Sequence, residues 1–212
     1  FAVGADFSYQ ILLNGGDDEV TKKPSVIEEI AYRDTWGKGI SSYLTMMYER
    51  LKLMHSLLAD DGSIYVHCDW RMTAYLRLLL NDIFGSTIDN FRNEIIWCYT
   101  GPGSPGMKQF NRKHDNIAWY SKTQNWIFNE DEIRIAHHEK TKENFKEGLR
   151  GSGFIGDNYE LNAGKIPEDW WEMAIAQRFP IDGVKRTGYP TEKPFALLER
   201  IINASSNPGD IV

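Results

Sequence analysis

A chain of 212 residues is long enough to bury a sizeable core in one domain, with room for a small inserted subdomain. Hydrophobic residues at 42% and charged residues at 25% describe an ordinary soluble globular protein, and no apolar run approaches the roughly 20 residues that span a bilayer. The net charge of −6 lacks the basic excess common in nucleic-acid-binding domains. Two cysteines, Cys68 and Cys98, exclude a disulfide framework and suit reduced thiols in a cytoplasmic protein.

The first forty residues read as a long, polar connection. Asn14-Gly15-Gly16-Asp17-Asp18 is a turn signal, and Lys22-Lys23-Pro24 does not suit a helix. A helix follows over 41–58, where Leu44, Met47, Leu51, Met54 and Leu58 recur at three- and four-residue steps. Asp60-Asp61-Gly62 ends it, and Ser63–Cys68 reads as a buried strand. A second helix over 71–84 places Met72, Tyr75, Leu76, Leu79 and Ile83 on one face, with Gly85 as its stop. The next strand is Asn93–Tyr99. Helix, strand, helix and strand joined by short turns predict an α/β sheet covered by helices. Asn116–Ser121 and Trp126–Phe128, joined by Lys122-Thr123-Gln124-Asn125, predict a hairpin. The sheet is therefore expected to be mixed, parallel first and antiparallel at one edge.

Residues 130–186 lose this rhythm. A polar helix over 141–149, a Gly151-Ser152-Gly153 turn and the pair Trp170-Trp171 suggest an insertion. The last helix is expected over 191–204, capped by Thr191, with Pro194 in its first turn and Phe195, Leu198, Ile201 and Ile202 facing the core. Between Gly101 and Lys122 the charges are Lys108, Arg112, Lys113, Asp115 and Lys122, a basic edge on an acidic body. Neither His67-Cys68-Asp69 nor His137-His138 has metal-ligand spacing, and nothing pairs Cys98 with a base. Gly101-Pro102-Gly103-Ser104-Pro105-Gly106 lacks the Lys-Ser/Thr of a phosphate loop.

Several stretches carry a resemblance when taken in order. They are Phe1-Ala2-Val3-Gly4, Tyr32–Trp36, Ser42–Leu44 with Met47–Leu51, Leu57–His67, Phe84-Gly85, Asn93–Trp97, His114–Tyr120, and Tyr189-Pro190-Thr191-Glu192-Lys193-Pro194. Together they resemble the site-specific DNA amino-methyltransferases, which modify adenine N6 or cytosine N4. The catalytic stretch precedes the cofactor stretch, as in the permuted class found in many restriction–modification systems.

The resemblance implies a Rossmann-like methyltransferase sheet, S-adenosyl-L-methionine as cofactor and double-stranded DNA as substrate. It implies that Phe1 ends an Asp-Pro-Pro-aromatic tetrapeptide and stacks on the extruded base. Tyr189, Pro190, Thr191, Glu192, Lys193 and Pro194 would shape the cofactor pocket, although Thr191 and Pro194 also suit a plain helix start. Lys108, Arg112 and Lys113 would contact DNA phosphates, or else form a solvated loop. Residues 1–129 would be the catalytic half, 130–186 the target recognition insertion, and 187–212 the start of the cofactor half. The strand expected at Asp210–Val212 would lead into a glycine-rich loop, so the expectation is a fragment of the enzyme. The alternative is a noncatalytic DNA-binding piece. A restriction subunit or a second copy of the chain would be a further partner.

Overall fold

The structure, a computed structural model, describes residues 9–13, 18–22, 40–85, 89–99, 101, 108–144, 163–176 and 191–212; of 9–13, 18–22 and 144 only the backbone is described. Strands β1 (Tyr9–Leu13) and β2 (Asp18–Lys22) pair antiparallel across the expected turn. The predicted plain connection therefore contains a two-stranded ribbon.

The main body comprises α1 (Ile40–Leu57), β3 (Ser63–Cys68), α2 (Thr73–Phe84), β4 (Phe91–Cys98), β5 (His114–Ser121), a 3₁₀ turn (Glu130–Ile133), α3 (Glu139–Asn144), β6 (Trp170–Glu172) and α4 (Phe195–Ser205). Four strands form one sheet in the order β3-β5-β4-β6. β5 runs antiparallel to both β3 and β4, and β4 runs parallel to β6. The sheet is mixed as expected, but its arrangement differs. β3 and β4 point the same way without touching, and β5 fills the gap between them.

Side chains alternate along the strands and feed two cores. On one face Val66 and Tyr120 meet Tyr43 and Leu51 of α1 and Leu76, Leu80 and Phe84 of α2, with Met72 beside them. On the other face Ile95, Trp97, Ile117 and Trp119 meet Trp171 of β6 and Leu197 of α4. The result is a sheet with α1 and α2 on one face and α4 on the other. Gly85 ends α2 at φ 98°, the left-handed region expected of a glycine stop, and Asn90 donates to the Phe84 carbonyl at 2.6 Å.

The strand expected at Asp210–Val212 is irregular backbone with no ladder partner among the described residues. Four further local expectations are corrected. Trp126–Phe128 forms no strand, because its neighbourhood spends its backbone donors elsewhere. The Ile127 N–H reaches the Asp61 carbonyl, and the Asn129 N–H reaches the Ala204 carbonyl at 2.9 Å. Asn129 also donates from its amide to the carbonyls of Asn203 and Ser206, closing the end of α4. Second, α4 starts at Phe195, with Pro194 at its N-cap and no side-chain cap; Thr191 lies in the turn before it. Third, the face of α4 turned inward is Leu197, Ala204 and, in part, Ile201, whereas Phe195, Leu198 and Ile202 are exposed. Fourth, Met54 and Tyr75 are exposed; His55 packs edge-on against Phe84 instead, and Leu80 and Phe84 fill the α2 core.

Within 130–186, Trp170–Glu172 joins the main sheet. Trp171 is buried there and donates its indole N–H to the Glu168 carbonyl, while Trp170 stays exposed. Gly164, at φ 82°, lets the chain pass the Ile135 carbonyl, which pairs with Lys165. The expected helix over 141–149 is described as far as Asn144. Both cysteines are free and half-buried. Among the described residues no helix is long and apolar enough to cross a membrane.

Candidate functional site

Because β5 opposes β3, β4 and β6, the carboxyl ends of those three strands and the amino end of β5 share one edge of the sheet. Ligands of open α/β sheets bind beyond the carboxyl ends of strands. In this protein that edge collects most of the polar side chains expected to matter.

His67, next to last in β3, faces Asp115 of β5 diagonally across the ladder, with Nε2 3.0 Å from Oδ2. The Tyr99 hydroxyl, just past β4, donates to the other Asp115 oxygen at 3.4 Å. The His67 ring also rests against Trp97, 5.8 Å between centroids. Burial works against ionisation of Asp115. The hydrogen bond and charge of His67, the Tyr99 hydroxyl and the charge of Lys193 outweigh it and hold the carboxyl below its usual range. Burial, followed by the charge of Asp115, pushes the Tyr99 phenol up. Beneath this edge, burial raises the Cys68 thiol, and burial with the nearby Cys68 and Asp69 raises Tyr43 to about 12. These two are inert packing groups at neutral pH.

Around this pair stand two loops. The turn leaving β3 carries Asp69, Trp70 and Arg71; Asp69 accepts the Arg71 backbone N–H at 2.9 Å and lies 3.5 Å from its guanidinium. The strand entry to β5 carries Arg112 and Lys113. Arg112 lies over the Trp70 ring at 4.1 Å and donates to the Gln109 amide oxygen, while the Lys113 carbonyl accepts the Tyr99 N–H.

The expected site residues are placed as follows. Arg112 and Lys113 lie at this edge, and Lys108 is exposed on the loop leading to it. Lys193 comes close enough for its charge to act on Asp115, and its ammonium donates to the Thr191 carbonyl at 3.4 Å. Thr191, Glu192 and Pro194 flank it in the segment entering α4. Phe1, Tyr189 and Pro190 lie outside the described residues. The sequence assigns no individual role to His67, Asp115, Tyr99 or Trp70. Its only available signal was the position of His67 and Asp115 at strand ends, and their meeting depends on β5 lying beside β3. A groove of about 640 Å³ opens at the other end of β3, lined by apolar Leu57, Tyr65, Ile201 and Val212 and by polar Asp61, Ser63, Ser205 and Asp210. It contains none of the expected site residues. Among the described residues no group of three or more His, Cys, Asp and Glu side chains could hold a metal.

The cations at this edge, Arg112, Lys113 and Lys193, suit anionic groups. A carboxylate can be met by Lys193 and a phosphate by Arg112 or Lys113, while Thr191 offers a hydroxyl.

Residues 18–212 match the family model described as DNA methylase. The chain is 29% identical over 238 residues to the type II methyltransferase M.EcaI of Enterobacter cloacae, covering 87% of this chain and 51% of that protein. It is 28% identical over 186 residues to the DNA adenine methyltransferase YhdJ of Escherichia coli, covering 84% and 56%. A stretch of 92 residues, 42% of this chain, is 51% identical to a probable type III restriction-modification enzyme HindVI Mod subunit of Haemophilus influenzae and covers 12% of it. The chain spans about half the length of the first two relatives.

Proposed function

The chain belongs to the DNA methylase family, and from that premise we propose that it forms part of an S-adenosyl-L-methionine-dependent enzyme that methylates the exocyclic amine of adenine (N6) or cytosine (N4) in double-stranded DNA. The observation that carries this reading is the match of residues 18–212 to that family, and the sheet edge adds cations from two separate segments. Arg112 and Lys113 enter β5 there, and Lys193 acts on Asp115 from the segment before α4.

In this reading Thr191, Glu192, Lys193 and Pro194 line the cofactor side, with Lys193 toward the methionine carboxylate and Thr191 beside it. Tyr189 and Pro190 extend that segment, and Phe1 supplies the ring on which the target base stacks. When bound, S-adenosylmethionine supplies an electrophilic methyl group. Lys108, Arg112 and Lys113 neutralise phosphates and fix the register on the duplex without reading its sequence. The His67–Asp115–Tyr99 contacts tie β3, β5 and the end of β4 together at this edge, and positioning supplies much of the rate of a methyl transfer. Residues 130–186 choose the sequence, flanked by a catalytic half over 1–129 and the start of the cofactor half over 187–212. The likeness to a Mod subunit supports a restriction subunit as a further partner; a second copy of the chain is the other candidate.

The test is transfer of an isotope-labelled methyl group from S-adenosylmethionine to mixed-sequence duplex by the intact protein, followed by digestion to nucleosides. Label in N6-methyladenine or N4-methylcytosine is the expected result. Label only in 5-methylcytosine would refute the amine reading. Duplex binding without any transfer would favour the noncatalytic DNA-binding alternative.

A further inference from the structure

The cations at the sheet edge share it with two exposed rings. Trp70 is 48% exposed and Phe110 is 97% exposed, on two loops that converge because β3 ends where β5 begins. Arg112 lies over the Trp70 ring at 4.1 Å, and Arg71 is 5.7 Å from the same centroid. Lys108 and Lys113 belong to the same loop as Phe110 and Arg112.

A single exposed apolar side chain is ordinary on a protein surface. Here Trp70 lies under Arg112 with Arg71 nearby, and Phe110 stands between Lys108 and Arg112 along the chain, in a protein whose net charge is −6. The carboxylates beside β3 and β5 at this edge are turned to neighbours, and the exposed Glu172 lies on the far side of the sheet, at the end of β6. Asp69 is engaged by Arg71, and Asp115 by His67 and Tyr99. The outward chemistry is therefore aromatic faces interleaved with ammonium and guanidinium groups. That combination suits a nucleic acid whose bases are free to stack, because phosphates meet the cations while base faces meet the rings. A base inside a duplex has both faces covered by its neighbours and can offer neither. Enzymes that modify a base must first open it out of the stack, so unpaired nucleotides arise wherever such an enzyme works. Arg112 also restricts the Trp70 side chain before any ligand arrives, which lowers the ordering cost of binding.

We propose that Trp70 and Phe110 form a stacking platform for unpaired nucleobases, with Arg71, Lys108, Arg112 and Lys113 holding the adjoining phosphates. The proposal rests on the DNA reading above and deepens it. Phosphate contacts alone would hold duplex and single strand by charge, whereas this platform selects the opened strand.

The experiment is fluorescence anisotropy of the intact protein with a labelled oligothymidylate single strand and with a mixed-sequence duplex of equal length. Trp70→Ala and Phe110→Ala are each expected to weaken single-strand binding by roughly 5- to 150-fold, the effect of losing one base stack. Duplex affinity should change far less, and Trp70→Phe should recover most of the loss. Phe110 is so exposed that its replacement does not threaten the fold. Unchanged single-strand affinity in both alanine variants would overturn the platform, and so would an equal loss on the two DNA forms. Failure of the unmodified protein to bind either DNA would instead overturn the DNA reading, and the platform with it.

Discussion

Asp115→Asn offers the sharpest probe of the sheet edge. The substitution keeps the shape and removes the charge that accepts from His67 at 3.0 Å and from Tyr99 at 3.4 Å. A hydrogen bond to a charged group contributes about 1.5–3 kcal/mol, and an exposed ion pair about 0–1. The Asp115 side chain is 20% exposed and that of His67 is 32% exposed, so the pair falls between these cases. The expected loss is about 1–2 kcal/mol near neutral pH. Its pH dependence has a fixed sign. The folded state holds the Asp115 carboxyl below its usual range, with burial opposing and His67, Tyr99 and Lys193 prevailing. The unfolded chain therefore binds this proton first, at about pH 3.9. The stabilisation is complete above that value and disappears as pH falls through the folded one. Urea unfolding of both proteins, at neutral pH and in steps downward from about pH 5, measures the difference directly. The gap should close as acid is added. A gap that stays constant with pH, or a variant as stable as the parent at neutral pH, would refute the argument that the charge of Asp115 holds this edge.

Replacing Lys108, Arg112 and Lys113 together by alanine should weaken duplex binding and lower the slope of log affinity against log salt by about 3, one per lost phosphate contact; an unchanged slope would return these residues to a solvated loop. Leu80→Ala removes a fully buried side chain from the α2 core and should cost about 2.7–5 kcal/mol in urea unfolding. Gly164→Ala forces a side chain onto a backbone at φ 82° and would bring its Cβ to 2.6 Å from the Ile135 carbonyl oxygen. It should cost about 1–3 kcal/mol, and a neutral result in the same unfolding assay would contradict the close approach.

Much of the element order was legible in the sequence for local reasons. The stripe of Leu44, Met47 and Leu51 commits residues 40–57 to a helix, the β-branched and aromatic run Ser63–Cys68 to a strand, and Gly85 to a stop, whatever else surrounds them. The resemblance in stretches such as Leu57–His67 and Tyr189–Pro194 likewise depends only on residue order, and it pointed to the family that the match over 18–212 shows. Other features depend on partners distant in the chain. Trp126–Phe128 has strand-like residues, yet Ile127 donates to Asp61 and Asn129 to Ala204, two competitors that no local pattern reveals. The apolar residues of α4 suit more than one face, and it was the position of Trp171 and the sheet that buried Leu197 while leaving Phe195 and Leu198 outside. Above all, the tertiary structure set β5 between β3 and β4. A strand's hydrogen-bonding edges are nearly alike along its length, so its choice of neighbour is made by the packing of the whole sheet. That choice brings His67 to Asp115 and Trp70 to Arg112, and so assembles the candidate site from residues that the sequence keeps apart.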